Sequence, residues 1–261
     1  MKRIFTLILM GVSTLVFSQT FTKINTGPIA TDVPTGGYAG VSWIDYDGDE
    51  DIDLFINKDF LYENDGNGNF TKVVNSGITG FGTGLNNGNS WADMDNDGDL
   101  DLVLVNQNSN SNGVYVNNGD GTFSRIMTGD IGTNLNAWSA TWGDYDNDGF
   151  VDLIATSPCG FIGPCRPNWL FNNNGNGTFA EVTMGDVVTG DAAYTVANWA
   201  DFDDDNDLDL FIGSGEINFN SRDHIYINQL SETGIPDLIL NQSGTLFGDL
   251  RDGQNWNLID Y

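Results

Sequence analysis

The chain has few basic residues, and this restricts its partners. Its 261 residues include 9 lysines and arginines against 37 aspartates and glutamates, which gives a formal net charge of −28 at pH 7. A nucleic-acid-binding surface needs clustered positive charge to contact phosphates. The composition therefore argues against nucleic acid as a partner.

Long apolar runs are also scarce. Lys2 and Arg3 precede an apolar run from Ile4 to Phe17, and the small residue Ser18 follows. This pattern is typical of a secretory signal peptide. No later stretch approaches the roughly 20 apolar residues of a membrane-spanning helix. We therefore expect residues 1–18 to be removed near Ser18, and residues 19–261 to be secreted or held at the cell surface without a transmembrane segment.

Cysteine and histidine are nearly absent. Cys159 and Cys165 are separated by five residues in a loop rich in proline and glycine. Because an exported protein meets oxidising conditions, we predict a disulfide between them, with two free thiols as the alternative. The single histidine is His224, and no Gly-x-Ser-x-Gly nucleophile motif occurs. The sequence therefore predicts no catalytic residues and no enzyme activity.

What the sequence does contain is a fourfold repeat. The first aspartates of the copies are separated by 48, 51 and 57 residues. A fixed period of this kind indicates a repeat architecture. The matching segments are Trp43–Ile56, Trp91–Leu104, Trp142–Ala155 and Trp199–Ile212.

A second element follows each aspartate-rich segment. Aromatic and β-branched residues flank an Asn/Asp/Gly turn, which predicts a β-hairpin. In the fourth copy an insertion interrupts the hairpin. Its first half is present at Ile225–Asn228, but the segment that matches its second half comes only at Gly244–Phe247. The intact hairpins are Leu61–Val73, Val114–Ile126 and Trp169–Val182.

Each unit therefore holds about four strands in roughly 50 residues, as in a β-propeller blade. We predict an all-β fold, a propeller of four-stranded blades in an incomplete or truncated ring; a non-closed stack of similar sheets is the alternative. Thr20–Ile24 resembles the last strand of a unit and is expected to complete the final blade. The units are centred on residues 45–53, 93–101, 144–152 and 201–209, with the start of a fifth near residues 256–261.

The aspartates of each loop point to a metal. Counted from the first aspartate, carboxylates occupy positions 1, 3, 5 and 9 in all four copies. Ca²⁺ offsets their repulsion and accepts six to eight oxygen ligands, whereas zinc prefers His or Cys. Position 7 is aspartate in three loops but Phe150 in the third, so we expect its backbone carbonyl to be the ligand. The predicted ligands are Asp45, Asp47, Asp49, Asp51, Asp53, Asp93, Asp95, Asp97, Asp99, Asp101, Asp144, Asp146, Asp148, Phe150, Asp152, Asp201, Asp203, Asp205, Asp207 and Asp209.

An EF-hand is the main competing interpretation. It requires glutamate at position 12, where these loops have Ile56, Leu104, Ala155 and Ile212 in apolar runs. We expect glycine, or a residue that tolerates a left-handed backbone, at position 6; Glu50 departs from this expectation. A solvated turn without metal is the remaining alternative.

The combined pattern resembles the FG-GAP/VCBS repeat family, which is related to the propeller of integrin α-subunits. The resemblance rests on Asp-x-Asp-x-Asp-Gly-x-x-Asp-Leu joined to Leu-Tyr-x-Asn-x-Gly-x-Gly-x-Phe-Thr. It implies a metal ion in the loop between the first two strands of each blade, hence about four Ca²⁺. The expected function is a secreted or surface-associated calcium-binding module for adhesion or partner binding, in which Ca²⁺ stabilises each blade. The alternative is a lectin-like carbohydrate-binding module or a non-catalytic part of a polysaccharide-processing enzyme.

The tryptophans bear on that alternative, because exposed indole rings can stack on sugars. Those that recur in the repeat are expected to pack between blades, and Trp169 is expected in the core. Trp138 is the better candidate for an exposed ring. The recurring set is Trp43, Trp91, Trp142 and Trp199.

Overall fold

Sixteen strands form four antiparallel sheets of four strands each in a computed structural model of the chain. The structure describes residues 21–32, 40–56, 60–78, 85–107, 113–132, 137–157, 167–190, 194–215, 222–229 and 239–240. The first sheet contains β1 (Val41–Ile44), β2 (Asp53–Ile56), β3 (Phe60–Asn64) and β4 (Phe70–Lys72); the second contains β5 (Leu85–Ala92), β6 (Asp101–Gln107), β7 (Gly113–Asn117) and β8 (Phe123–Arg125). The third contains β9 (Ala140–Gly143), β10 (Asp152–Ala155), β11 (Trp169–Asn173) and β12 (Phe179–Val182); the fourth contains β13 (Tyr194–Ala200), β14 (Asp209–Ser214), β15 (His224–Ile227) and β16 (Ile239–Leu240).

Helical structure is confined to single turns in the described residues. These are α1 (Pro28–Thr31), α2 (Asp186–Thr189) and a 3₁₀ turn at Asp130–Gly132. Within the described part of the chain, none of the helices has the length and apolarity needed to cross a bilayer.

Every sheet follows one plan, which confirms the four strands predicted for each unit. The first strand ends just before an aspartate loop, and the second begins at its ninth residue. The register places Trp43 opposite Leu54, Trp91 opposite Leu102 and Trp199 opposite Leu210. The second strands are apolar and buried on both faces because they lie between the first strand and the hairpin and are covered by neighbouring sheets.

Neighbouring sheets pack against each other in chain order. The first strands contact one another from β1 to β5, from β5 to β9 and from β9 to β13. One apolar cluster lies at each junction: Ile44, Phe55 and Leu102 belong to the first, Val103 and Trp142 to the second. Tyr145 and Leu210 belong to the third. The sheets are therefore blade-like, as predicted, and those described do not close into a ring.

In the second, third and fourth blades, a buried asparagine at or just after the end of the hairpin's first strand ties the blade to the one before it. The side-chain amide of Asn117 donates to the Tyr46 carbonyl over 2.8 Å. That of Asn173 donates to the Met94 carbonyl over 2.7 Å, and that of Asn228 to the Tyr145 carbonyl over 2.6 Å. Asn64 holds the same position in the first blade, where its amide donates to the Ile52 carbonyl of its own blade. These bonds fix the orientation of successive blades.

Three of the four recurring tryptophans pack between blades, as predicted. Trp91 meets Phe55 edge to face with ring centroids 5.3 Å apart, and Trp142 is 9% exposed. Trp199 packs against the third core cluster. The prediction was wrong for Trp43, which is 61% exposed. Each packed tryptophan rests on the preceding blade, and the described residues contain no blade ahead of Trp43.

The predicted N-terminal strand is also absent from the described part of its range. Residues 21–24 belong to no strand, and Phe21 is fully exposed. The outer position of the fourth sheet is taken by β16, where Ile239 pairs with Ile227. Residues 1–18, Cys159, Cys165, Gly244–Phe247 and residues 256–261 lie outside the described residues.

We predict that Asn173→Ala lowers the free energy of unfolding by about 1–3 kcal/mol, because it leaves the buried Met94 carbonyl without its donor. Asn64→Ala is the matched control, since it removes no bond between described blades and should cost less. Chemical denaturation of both variants measures the difference. Equal losses would show that the amide does not link blades.

Candidate metal centres

Hydrogen bonds from the backbone hold each aspartate loop in a tight turn. In the second loop, the carboxylate oxygens of Asp93 accept the N–H groups of Asp97 and Gly98, both at 3.0 Å. Asp97 in turn accepts the N–H of Asp99 over 3.0 Å. The carboxylates at positions 1 and 5 make equivalent bonds in the other three loops. The aspartates therefore order the loop that carries them.

Each turn also needs two residues in the left-handed region. Position 6 was predicted, and Glu50 adopts it with φ 72°, at a cost that glycine avoids. Position 4 was missed, although only glycine, asparagine and aspartate occur there. Its residues are Gly48 (φ 73°), Asn96 (φ 60°), Asn147 (φ 56°) and Asp204 (φ 61°).

The aspartate at position 9 is the most buried of the set. In the second loop, Asp101 is fully buried, and its oxygens accept the N–H groups of Met94 at 2.9 Å and Asn117 at 2.8 Å. It thus joins its loop to the hairpin of the same blade. The sequence marked this residue only as a ligand and gave no sign of its bridging role. The equivalent residues Asp53, Asp152 and Asp209 are also buried and make the same two bonds.

Carboxylates from three positions of each loop converge. Ligand oxygens of positions 1, 3 and 9 lie within 4.8 Å of one another in every loop. The position 5 carboxylates are not in these groups and bind the position 7 N–H instead. The groups are Asp45, Asp47 and Asp53; Asp93, Asp95 and Asp101; Asp144, Asp146 and Asp152; and Asp201, Asp203 and Asp209.

Position 7 directs its side chain towards the hairpin turn of its own blade. A Cβ on Gly175 would overlap the ring of Phe150, and a Cβ on Gly119 would lie 2.8 Å from a carboxylate oxygen of Asp99. A phenylalanine is tolerated here because the side chain covers the turn. This placement leaves the backbone carbonyl as the group that position 7 can offer to an ion.

Burial makes the converging carboxylates hard to ionise without a cation. Loss of hydration raises the pKa of Asp53 to about 6, of Asp101 to about 7 and of Asp152 to about 8. Nearby aspartates add to the rise, and the backbone donors oppose it. Burial followed by a neighbouring aspartate also raises the pKa of the position 3 carboxyls, as for Asp47. A bound cation would remove this penalty.

The donor set fits Ca²⁺. Every converging atom is a carboxylate oxygen, which a hard cation prefers, and flexible six- to eightfold coordination can add backbone carbonyls and water. In the second loop, Oδ1 of Asp95 is buried and has no hydrogen-bond partner. Position 12 lies in the second strand of each blade, as Ile56 and Leu104 show, so an EF-hand geometry does not form.

Neighbouring loops contact one another directly. The side-chain amide of Asn96, at position 4 of the second loop, donates to the Gly149 carbonyl of the third loop over 2.9 Å. Asn147 makes the equivalent bond to the Asn206 carbonyl of the fourth loop over 3.1 Å. The three loops therefore form a connected row.

The remaining residues singled out in the sequence lie away from these loops. His224 begins β15, half-buried near the rings of Tyr194 and Tyr226, and burial lowers its pKa. Trp138 is half-buried rather than exposed, and its backbone N–H bonds the Thr156 carbonyl. Trp169 packs at the edge of a core cluster.

Comparison with known proteins identifies the repeat. The sequence profile described as FG-GAP-like repeat matches residues 57–104, 93–155 and 161–212, more than half of the chain. No curated protein matches the chain. A solved structure of an Agrocybe aegerita lectin, described as recognising non-reducing terminal N-acetylglucosamine, is 17% identical with a TM-score of 0.44. The match covers 69% of this chain and 46% of the lectin chain; a likeness at this level carries no functional argument.

The raised pKa values predict how stability depends on pH. Without metal, the native state holds protons on Asp53, Asp101 and Asp152 that the unfolded chain loses near pH 4. The stability of the metal-free protein should therefore fall as pH rises from about 4 to about 8. Thermal unfolding in metal-free buffer across this range measures it.

Asp152→Asn should flatten that dependence, because it removes the carboxyl with the highest of these pKa values. Asp120→Asn changes the charge equally in an exposed hairpin turn and should leave the slope unchanged. A metal-free stability that stays constant or rises over the same pH range would contradict the assignment.

Proposed function

Because the chain belongs to the family of FG-GAP-like repeat proteins, we propose that it is a secreted or surface-associated module that binds about four Ca²⁺ and uses its stiffened blades to bind a partner. The observation that carries the calcium proposal is the buried position 9 carboxylate. It recurs in all four blades with two further carboxylates beside it.

The role proposed for Ca²⁺ is structural. The ion would bind the loops that join the first two strands of each blade, and the ligands at position 9 also hold the hairpin. An ion that binds the folded chain and not the unfolded chain stabilises the fold by mass action. Extracellular calcium is often millimolar, so sites with dissociation constants of about 10⁻⁴–10⁻³ M would be filled there.

The proposed ligands are the twenty residues named from the sequence, and they would contribute in three ways. Positions 1, 3 and 9 would contribute carboxylates directly, since their oxygens converge. Position 7 would contribute a backbone carbonyl. The position 5 carboxylate, which accepts the position 7 N–H, would be a ligand at the edge of the site. The chain offers no candidate catalytic group in these loops, and we propose a binding role without catalysis.

Adhesion to a protein partner is the leading form of this proposal, and carbohydrate binding is the second. Trp138 is half-buried and does not supply the exposed ring expected for sugar stacking. The side chain of Trp43 is exposed and could stack on a sugar instead. A glycan array probed with the full chain, with and without calcium, separates the two. We expect no calcium-dependent glycan signal; specific binding that Trp43→Ala abolishes would establish the carbohydrate-binding alternative instead.

We predict that millimolar calcium raises the thermal unfolding temperature of the full chain by about 3–20 °C over excess chelator, and that Mg²⁺ does so less. Asp97→Asn should remove part of this gain, because it takes a carboxylate from one loop. Differential scanning calorimetry measures the shift, and isothermal titration counts the ions.

Asp99→Phe is the matched control in the same loop. It copies the third loop, where Phe150 holds position 7, and should keep the calcium-dependent gain. Equal unfolding temperatures in calcium and chelator would refute the proposal, and a greater loss from Asp99→Phe than from Asp97→Asn would refute the ligand assignment.

A further inference from the structure

The residue before each hairpin asparagine lies beside the ninth loop position. In the first blade Leu54 pairs with Tyr62, so the next residue on each strand brings Glu63 opposite Asp53. The same register holds in the other three blades. Residues directly opposite each other in an antiparallel pair project from the same face, with Cβ atoms about 4.5–5.5 Å apart. This place, here called the cross-strand position, is occupied by Glu63, Val116, Asn172 and Ile227.

A backbone hydrogen bond fixes the cross-strand position relative to the loop. The asparagine that follows it donates its N–H to the position 9 carboxylate over 2.7 Å in the first and third blades and over 2.8 Å in the second and fourth. The third strand of a blade therefore cannot shift along the second without breaking this bond. The cross-strand side chain starts from the same point beside the converging carboxylates in every blade.

Contacts in the third blade show what this side chain touches. The amide of Asn172 donates to Oδ2 of Asp146, the position 3 carboxylate, over 2.5 Å. In the second blade Val116 has no donor to offer, and Oδ1 of Asp95 at position 3 is buried without a hydrogen-bond partner. The cross-strand position therefore lies against the position 3 carboxylate as well as opposite the one at position 9.

The first blade places an additional acid at this position. Burial is the main cause of the raised pKa of Asp47, at position 3, and the charges of Asp49 and Glu63 add to it. The Glu63 side chain is exposed, and no lysine or arginine in the described part of the chain forms an ion pair with it. Its carboxylate is not one of the three that converge. Glu63 therefore adds negative charge beside the ligands without belonging to their group.

We propose that the cross-strand residue sets the relative Ca²⁺ affinities of the four sites, and that Glu63 makes the first site the tightest. A carboxylate beside the ligands attracts a divalent cation without having to be a ligand itself. Val116 and Ile227 give the second and fourth sites no such attraction, and the amide of Asn172 occupies an oxygen of Asp146 in the third. This inference rests on the calcium proposal above and adds a ranking among sites that share the same converging carboxylates.

Competition between the full chain and a chromophoric calcium chelator at low ionic strength tests this ranking, because it resolves the dissociation constant of the tightest site. Glu63→Gln keeps the size of the side chain and should raise that constant about threefold to tenfold, the effect expected of one exposed charge on a divalent ion. Added salt should reduce the difference. Glu181→Gln removes an equal charge from an exposed position on β12 and should leave the constant unchanged.

Asn172→Glu is the converse variant. It gives the third loop the acid that the first loop has, and it should strengthen one of the weaker sites by a similar factor. Calcium binding by Glu63→Gln with the wild-type constant would overturn this inference and leave the calcium proposal standing. A third site that Asn172→Glu does not strengthen would overturn it equally. A wild-type chain that binds no calcium would overturn both proposals.

Discussion

The fold depends on a carboxylate buried at the ninth position of every loop. Asp101 is inaccessible to solvent, yet both of its oxygens are used to hold two separate backbone segments. Burying a charge is costly unless it is paired. This one lies close to two further acids and has no cation beside it among the described residues. The carboxylate that holds the blade together therefore also needs a counter-ion when it is ionised. Loop order and metal binding thus depend on the same residue.

Hydrogen bonds carry this local order between blades. The backbone N–H of Asn173 is held by Asp152, and its side-chain amide reaches the Met94 carbonyl of the preceding blade. A single residue thus connects a proposed metal ligand of one blade to the loop of the preceding blade. Apolar packing supplies much of the cohesion at these junctions, through rings such as Trp142. The hydrogen bond fixes the orientation of the two blades, because an arrangement that leaves the buried carbonyl without its amide donor costs free energy.

The sequence predicted those features of the fold that repeat. Period, strand number and the converging acids could all be read because each unit repeats the same residues in the same order. The sequence predicted a left-handed residue only at position 6. The one at position 4 was missed, although the asparagines Asn96 and Asn147 tolerate this conformation. The exposure of Trp43 could not be predicted from its register, since burial depends on the neighbour that covers a residue and not on the residue itself. The position of β16 was missed for a similar reason: strand pairing after a long insertion is set by contacts distant in sequence.

The row of linked loops has a consequence for how ions would be taken up. The side-chain amides of Asn96 and Asn147 each donate to the position 6 carbonyl of the next loop, so the shape of one loop constrains its neighbour. Gly48 stands at the same place in the first loop and has no side chain with which to reach the second. A change in the shape of one site would consequently reach its neighbours directly along the second, third and fourth loops, whereas the first loop is linked to the second through the Asn117 amide instead.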